Sequence, residues 1–190
     1  MKLTSQEEYG LRCILSLARQ EKLAALGGGL GRPSSTIAQI AEREGLSTEY
    51  VGKLMGVLTR AGLVESVRGR NGGYRLARPP AEVCVSEALA ALGGKLYRPA
   101  ETCDRFSGEL SFCVHSPTCS IRSLWSGLQL MIDYMLSRTT LEDLVSTSES
   151  TMGDWMRAKF EALAKLVGPD LPASGRSPGY VNLVTPGVER

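Results

Sequence analysis

The sequence holds a single histidine, His115, among its 190 residues. That leaves no convincing Ser-His-Asp arrangement to build on. No phosphate-binding glycine loop follows a strand either: the glycine-rich run at 27–31 follows a helical segment and lacks the Lys-Ser/Thr pair of a P-loop. No catalytic constellation remains, so an enzyme is not expected. Long apolar runs are also missing, and none approaches the roughly eighteen residues of a membrane span. The start, Met1-Lys2-Leu3-Thr4-Ser5-Gln6-Glu7-Glu8, has no export-signal apolar region, and a cytoplasmic location is expected. The five cysteines are odd in number, which argues against a disulfide framework and for thiolate chemistry.

What is present is ordinary in bulk and uneven in detail. A hydrophobic share of 43% and a charged share of 22% are those of a soluble globular protein. The length suits one domain, or a small domain with an extension. The net charge of +2 hides an asymmetry: residues 1–80 hold twelve Lys/Arg against seven Asp/Glu, and the remainder ten against thirteen. Between positions 52 and 78, Lys53, Arg60, Arg68, Arg70, Arg75 and Arg78 face only Glu65. A basic half beside an acidic half points to a polyanionic partner, although many solvated faces are basic too.

Hydrophobic periodicity predicts a first helix over 4–25, with Tyr9, Cys13, Leu17 and Ala18 at helical spacing and a capping box at Ser5-Gln6-Glu7-Glu8. A short helix over 36–44 ends at Gly45. Ser47 is a good N-cap for the next helix, 48–61, which Gly62 stops. Ile40, Ala41, Leu46, Val51, Leu54 and Leu58 supply the faces that lock these two helices together, as in a helix-turn-helix. The period then changes to alternation: a strand over 63–68, a turn over 69–73 and a return strand over 74–76. Helix, turn, helix and hairpin make a winged helix. The fold class expected is mainly α with a small β-hairpin.

Further on, short helices are expected over 85–92 and 140–145, with an irregular stretch over 93–118. A long helix over 120–137 carries the apolar stripe Ile121, Leu124, Trp125, Leu128, Met131, Ile132 and Met135. An amphipathic helix is expected over 152–167, and the Pro/Gly/Ser-rich tail from 168 is expected to be disordered. The domain plan is therefore 1–80 for the winged helix, 81–119 for a linking helix and cysteine loop, 120–147 for the long-helix region, then 148–167 and 168–190.

In a helix-turn-helix, the start of the second helix reaches base edges in the major groove. Here the outward residues are Ser47, Thr48, Glu49, Gly52 and Lys53. Glu49 suits a cytosine amino group, and Lys53 a guanine or a phosphate; a merely solvated helix face is the plainer alternative. Arg68 and Arg70 bracket a glycine at the hairpin tip, suited to phosphate or a narrow minor groove. Gly69, Gly72 and Gly73 favour close approach to another backbone. Cys103, Cys113 and Cys119 follow as C-x9-C-x5-C on a stretch that can converge on a metal. With His115 they form a Cys3His set of zinc-binding type, though without the short knuckle of structural zinc sites. Cys13 and Cys84 lie in apolar contexts and read as buried core thiols.

The opening Met1-Lys2-Leu3-Thr4, the segment from Gly62 through Val67-Arg68-Gly69-Arg70-Asn71-Gly72-Gly73-Tyr74 to Leu76, and the downstream cysteines together resemble the Rrf-two family of bacterial regulators, which includes the IscR, NsrR and RirA types. The resemblance covers about 1–147 and leaves 148–190 outside it. It implies a transcription regulator, a homodimer on double-stranded promoter DNA, with neither a membrane nor a small-molecule substrate as partner. It implies a long dimerisation helix, here with Ile121, Leu124, Leu128, Met131, Ile132 and Met135 at the interface. It also implies an iron–sulfur cluster, 2Fe-2S or 4Fe-4S, on Cys103, Cys113 and Cys119, whose state controls DNA affinity. For the fourth ligand, IscR-type proteins have a histidine where this chain has Arg122. Some relatives use a carboxylate of the first helix of the partner subunit, a position held here by Glu8, and His115 is a third candidate. Zinc remains the alternative metal, and thiol oxidation or a protein partner the alternative signal. A redox or cluster-carrier protein is a third class.

Overall fold

The computed structural model describes residues 3–27, 32–69, 72–94, 99–109, 113, 115, 118–146, 153–155, 157–159 and 161. The chain divides into two compact units, Met1–Ser148 and Glu149–Arg190. In the first, helix α1 (Ser5–Leu26) buries Gly10, Cys13, Ile14, Leu17 and Ala18 along one stripe. Its capping box stands one residue earlier than the sequence suggests. Glu7 N–H donates to Thr4 Oγ1 at 3.2 Å, and Thr4 N–H donates to Glu7 Oε2 at 2.7 Å. Both registers contain the required residue types. The one adopted puts Glu7, which shares the buried stripe, under the chain, and leaves Glu8 in solvent.

Helices α2 (Ile37–Glu44) and α3 (Thr48–Arg60) form the helix-turn-helix. Thr36 and Gln39 cap α2 reciprocally, and Gly45 closes it at φ 66°, a left-handed conformation that costs glycine little. Ser47 Oγ accepts from Tyr50 N–H at 3.3 Å and starts α3. Ile40, Val51, Leu54, Met55 and Leu58 are buried with Ile14 and Leu17 of α1 and with Leu63, Val64 and Leu76 of the hairpin. Truncating Leu54 or Leu58 to alanine in such a core costs about 2–5 kcal/mol.

Strand β1 (Val64–Val67) pairs antiparallel with β2 (Gly73–Leu76), in the register Glu65↔Arg75 and Ser66↔Tyr74. Periodicity does not reveal the hairpin's third partner, Ser35, whose backbone exchanges hydrogen bonds with Tyr74 at 2.9 and 2.8 Å. That contact explains Gly73: a Cβ there would lie 2.5 Å from Ser35 O. The close approach favoured by the wing glycines is, at Gly73, an approach to this chain's own backbone.

After a 3-10 turn at Pro80–Glu82 come α4 (Val85–Leu92), α5 (Pro99–Arg105), α6 (Ser120–Ser137) and α7 (Leu141–Ser146). The start of α4 and the residues just before it tie to those after α6: Val85 N–H donates to Thr139 O at 2.8 Å, and Leu141 N–H donates to Val83 O at 3.0 Å. Leu141 thereby joins the core. Two expectations are corrected. Cys84 is a half-buried N-cap residue, its N–H donating to Glu87, and only Cys13 is a fully buried thiol. The stretch 93–118 contains α5, a seven-residue helix too short and too polar to show a hydrophobic period. Its proline at the start, Glu101 in the first turn and Arg105 in the last suit a helix and its dipole.

In the second unit, helical residues within 153–161 place the Lys159 ammonium 5.3 Å from the Trp155 ring centroid. The tail expected from 168 lies outside the described residues, as do parts of the helix expected over 152–167. No helix among the described residues is long and apolar enough to cross a membrane.

Candidate nucleic-acid interface and cysteine loop

Helix α3 has two unlike faces. Val51, Leu54, Met55 and Leu58 are buried, whereas Ser47, Thr48, Glu49 and Lys53 are exposed. The Lys53 ammonium donates to Glu49 Oε1 at 2.7 Å, an i,i+4 ion pair with both side chains largely in water. Their hydrogen bond, and then their mutual charge, holds the Glu49 carboxyl below its ordinary range and raises the Lys53 amine. Pairs this exposed contribute little to stability. Their interest is the acceptor and donor they hold side by side.

The basic run from 53 to 78 is partly neutralised within the chain. Lys53 pairs with Glu49, Arg75 Nε donates to Glu65 across the hairpin at 2.6 Å, and Arg78 Nη2 donates to Glu87 at 2.8 Å. Among the described residues no carboxylate pairs with Arg60 or Arg68. Arg68 is exposed just beyond β1, and Arg70 lies outside the described residues.

The three loop cysteines are half-buried. Cys103 lies on α5, Cys119 is the N-cap of α6, and Cys113 lies between. Arg122 joins two of them: its Nη2 donates to Cys103 Sγ at 3.2 Å and its backbone N–H to Cys119 Sγ at 3.4 Å. Sequence reasoning notes Arg122 only for not being histidine. Its link to Cys103 depends on α5, which the sequence does not announce. The donor set suits an iron–sulfur cluster in kind, with three thiols and N–H donors aimed at sulfur. Among the described residues, however, no three His, Cys, Asp or Glu side chains are gathered closely enough to hold a metal ion. Glu8 and His115 are both exposed.

On α6, Ile121, Leu124 and Met131 are 64, 58 and 53% exposed, and Trp125 and Leu128 are also open. This stripe is therefore not core within a single chain. Ile132 and Met135 are half-buried, and Ile132 and Leu136 line a groove of about 550 Å³ with Leu89 and Ala90 of α4.

Helix-turn-helix, wing and cysteine loop are matched together by one family profile, Rrf2, described as an iron-dependent transcriptional regulator, over residues 3–147. The chain belongs to the Rrf2 family of transcriptional regulators. It is 31% identical over 154 residues to the HTH-type transcriptional regulator NsrR of Bacillus subtilis, covering 80% of this chain and 95% of that protein. Among solved structures it resembles T. potens IscR, with a TM-score of 0.58 and 29% identity over 80% of this chain and 90% of that one. It also resembles the oxidized form of Staphylococcus aureus CymR, with a TM-score of 0.58 and 29% identity over 78% and 99%. The NsrR relative is by name a transcriptional regulator, the class that the family profile also describes.

Proposed function

We propose that this chain is a homodimeric, sequence-specific DNA-binding regulator whose operator affinity is set at Cys103, Cys113 and Cys119. The observation that carries the DNA-binding part is α3: its N-cap and first two turns present Ser47, Thr48, Glu49 and Lys53 to solvent while its other face is locked into the core. These side chains would read base edges, and Arg68 and Arg70, the latter outside the described residues, would meet phosphate or a narrow minor groove. The stripe of α6, with Ile121, Leu124, Leu128 and Met131 exposed and Ile132 and Met135 half-buried, is the proposed dimer interface. Two copies would bring two α3 helices to two half-sites of a near-palindrome.

For the switch, the family and the donor set favour an iron–sulfur cluster, 2Fe-2S or 4Fe-4S, held by Cys103, Cys113 and Cys119. Glu8 of α1 and His115 are the candidate fourth ligands. Cys103 of α5, Cys113 and Cys119 at the α6 N-cap would hold such a cluster, which would supply redox sensitivity there. A state that prefers one dimer geometry must shift DNA affinity by as much as that preference. A second reading is sensing by thiol oxidation or zinc at the same cysteines: the ungathered ligands and Arg122 spanning Cys103 and Cys119 support its thiol form, whereas zinc would need the same gathering of ligands as the cluster.

Anaerobic purification with a visible spectrum and iron, sulfide and zinc analysis separates the two. Matched iron and sulfide support the cluster, whereas a colourless zinc-bearing or metal-free protein supports the second reading. Alanine at all three cysteines should abolish any redox response of operator binding. An unchanged response sinks both. Failure to bind promoter duplex even at low salt would sink the DNA-binding part, and binding that does not weaken with salt would sink the phosphate contacts.

A further inference from the structure

Two glycines, Gly52 and Gly56, occupy the outward side of α3, and neither is explained inside the chain. A Cβ at Gly52 would meet only Ile37 Cδ1 at 3.7 Å, and one at Gly56 only Arg60 Nη1 at 3.6 Å, both ordinary contacts. Their situation is the opposite of that of Gly73, which is pressed against Ser35. Glycine in a helix interior weakens the helix relative to alanine, so both positions give up stability with no packing return. Residues 49, 52, 53 and 56 share one helical strip. Gly52 therefore leaves a gap in the surface beside the Glu49–Lys53 ion pair.

That pair has a chemistry of its own. A carboxylate and an ammonium 2.7 Å apart present an acceptor next to a cluster of donors. In the major groove, a C·G pair offers the cytosine N4 donor next to two adjacent guanine acceptors, O6 and N7, whereas an A·T pair sets its adenine N6 donor between two separated acceptors, N7 and thymine O4. We propose that Glu49, Gly52 and Lys53 act as one specificity unit for a C·G pair in each half-site. Glu49 accepts from cytosine N4, Lys53 donates to guanine O6 and N7, and the bare Gly52 backbone admits the base edges. This rests on the reading of α3 as the DNA-reading helix. The competing account, an i,i+4 pair that only supports the helix, predicts no effect on base preference.

The test is selection of the full-length protein on a randomised duplex pool, with Glu49→Gln and Gly52→Ala beside the unaltered chain. The unaltered chain should enrich an inverted repeat with one fixed C·G pair per half-site. Glu49→Gln should lose preference at that position by about tenfold and keep the others. Gly52→Ala should bind the selected duplex about tenfold more weakly with an unchanged salt slope, while its Tm rises by about 2–4 °C. Variants that keep the original consensus and affinity overturn the proposal, as does a Gly52→Ala whose weaker binding comes with a lowered Tm. An unaltered chain that enriches no sequence at all overturns the reading of α3 itself, and this unit with it.

Discussion

Arg122, in the first turn of α6, donates through its guanidinium to the sulfur of Cys103 on α5, nineteen residues earlier, at 3.2 Å. Its own backbone N–H reaches Cys119. One residue thus touches two of the three loop cysteines from both sides of the loop. Removing the side chain should release α5 and leave the Cys119 contact, which is made by the backbone. For Arg122→Ala in reduced, metal-free protein, amide exchange over 99–106 should accelerate several-fold, while 48–60 in α3 stays protected. Equal acceleration in both segments would mean that Arg122 supports the whole fold and does not anchor α5 in particular.

Cys13 should behave unlike the loop cysteines. It is completely buried, and burial, reinforced by the Glu44 carboxylate, pushes its thiol from 9.0 up to about 11. At pH 8 its thiolate is on the order of a thousandth of the thiol. Iodoacetamide on the reduced native protein should therefore modify Cys103, Cys113 and Cys119 while sparing Cys13, as read by peptide mass spectrometry. The linkage has a definite sign. The unfolded chain releases this proton first, so the stability tied to Cys13 is complete below pH 9 and is lost between pH 9 and 11. The loss is roughly 3 kcal/mol at most, and Cys13→Ala should lack that part of the alkaline decline. Alkylation of native Cys13 as fast as the loop thiols would refute this.

Much of this organisation is legible in the sequence, and the exceptions share one cause. The bounds expected for α4 and α6 are those adopted, because each carries an apolar period and terminates at a residue that interrupts it. Helix α5 is missed because seven largely polar residues have no period to show. The capping register of α1 is missed because Thr4 and Ser5 offer equivalent chemistry, and only burial of Glu7 decides between them. At the candidate site, the Glu49–Lys53 pair was readable from its i,i+4 spacing, and Glu65–Arg75 from the hairpin register. Neither the Ser35–Tyr74 bridge nor the Arg122–Cys103 bond has a local signature, since each joins segments that meet only after folding.

The Arg12–Glu44 pair fastens α1 to the end of α2, and its two halves should not be equivalent. Arg12 Nε donates to Glu44 Oε2 at 3.1 Å, and Nη2 donates to Glu44 O at 2.8 Å. The Glu44 side chain is 7% exposed, but that of Arg12 is 42%. Arg12→Ala leaves a buried carboxylate without its cation and should cost about 3 kcal/mol. Glu44→Gln leaves a guanidinium that water can reach and should cost about 1 kcal/mol. Urea unfolding monitored by circular dichroism reads both. Equal costs would mean that water reaches Glu44 once Arg12 is gone.

The exposed stripe of α6 yields the prediction that bears most directly on assembly. Leu124 and Met131 are 58 and 53% exposed in the single chain, so a charge at either position meets mostly water when the chain is alone. In a dimer formed across this face, the same charge would be buried without a partner, at several kcal/mol per site. Leu124→Asp and Met131→Asp should therefore shift sedimentation from dimer to monomer at micromolar concentration and keep the helical circular-dichroism spectrum. Operator affinity should fall steeply with them, since one half-site contact replaces two. A variant that remains dimeric would remove this face of α6 from the interface.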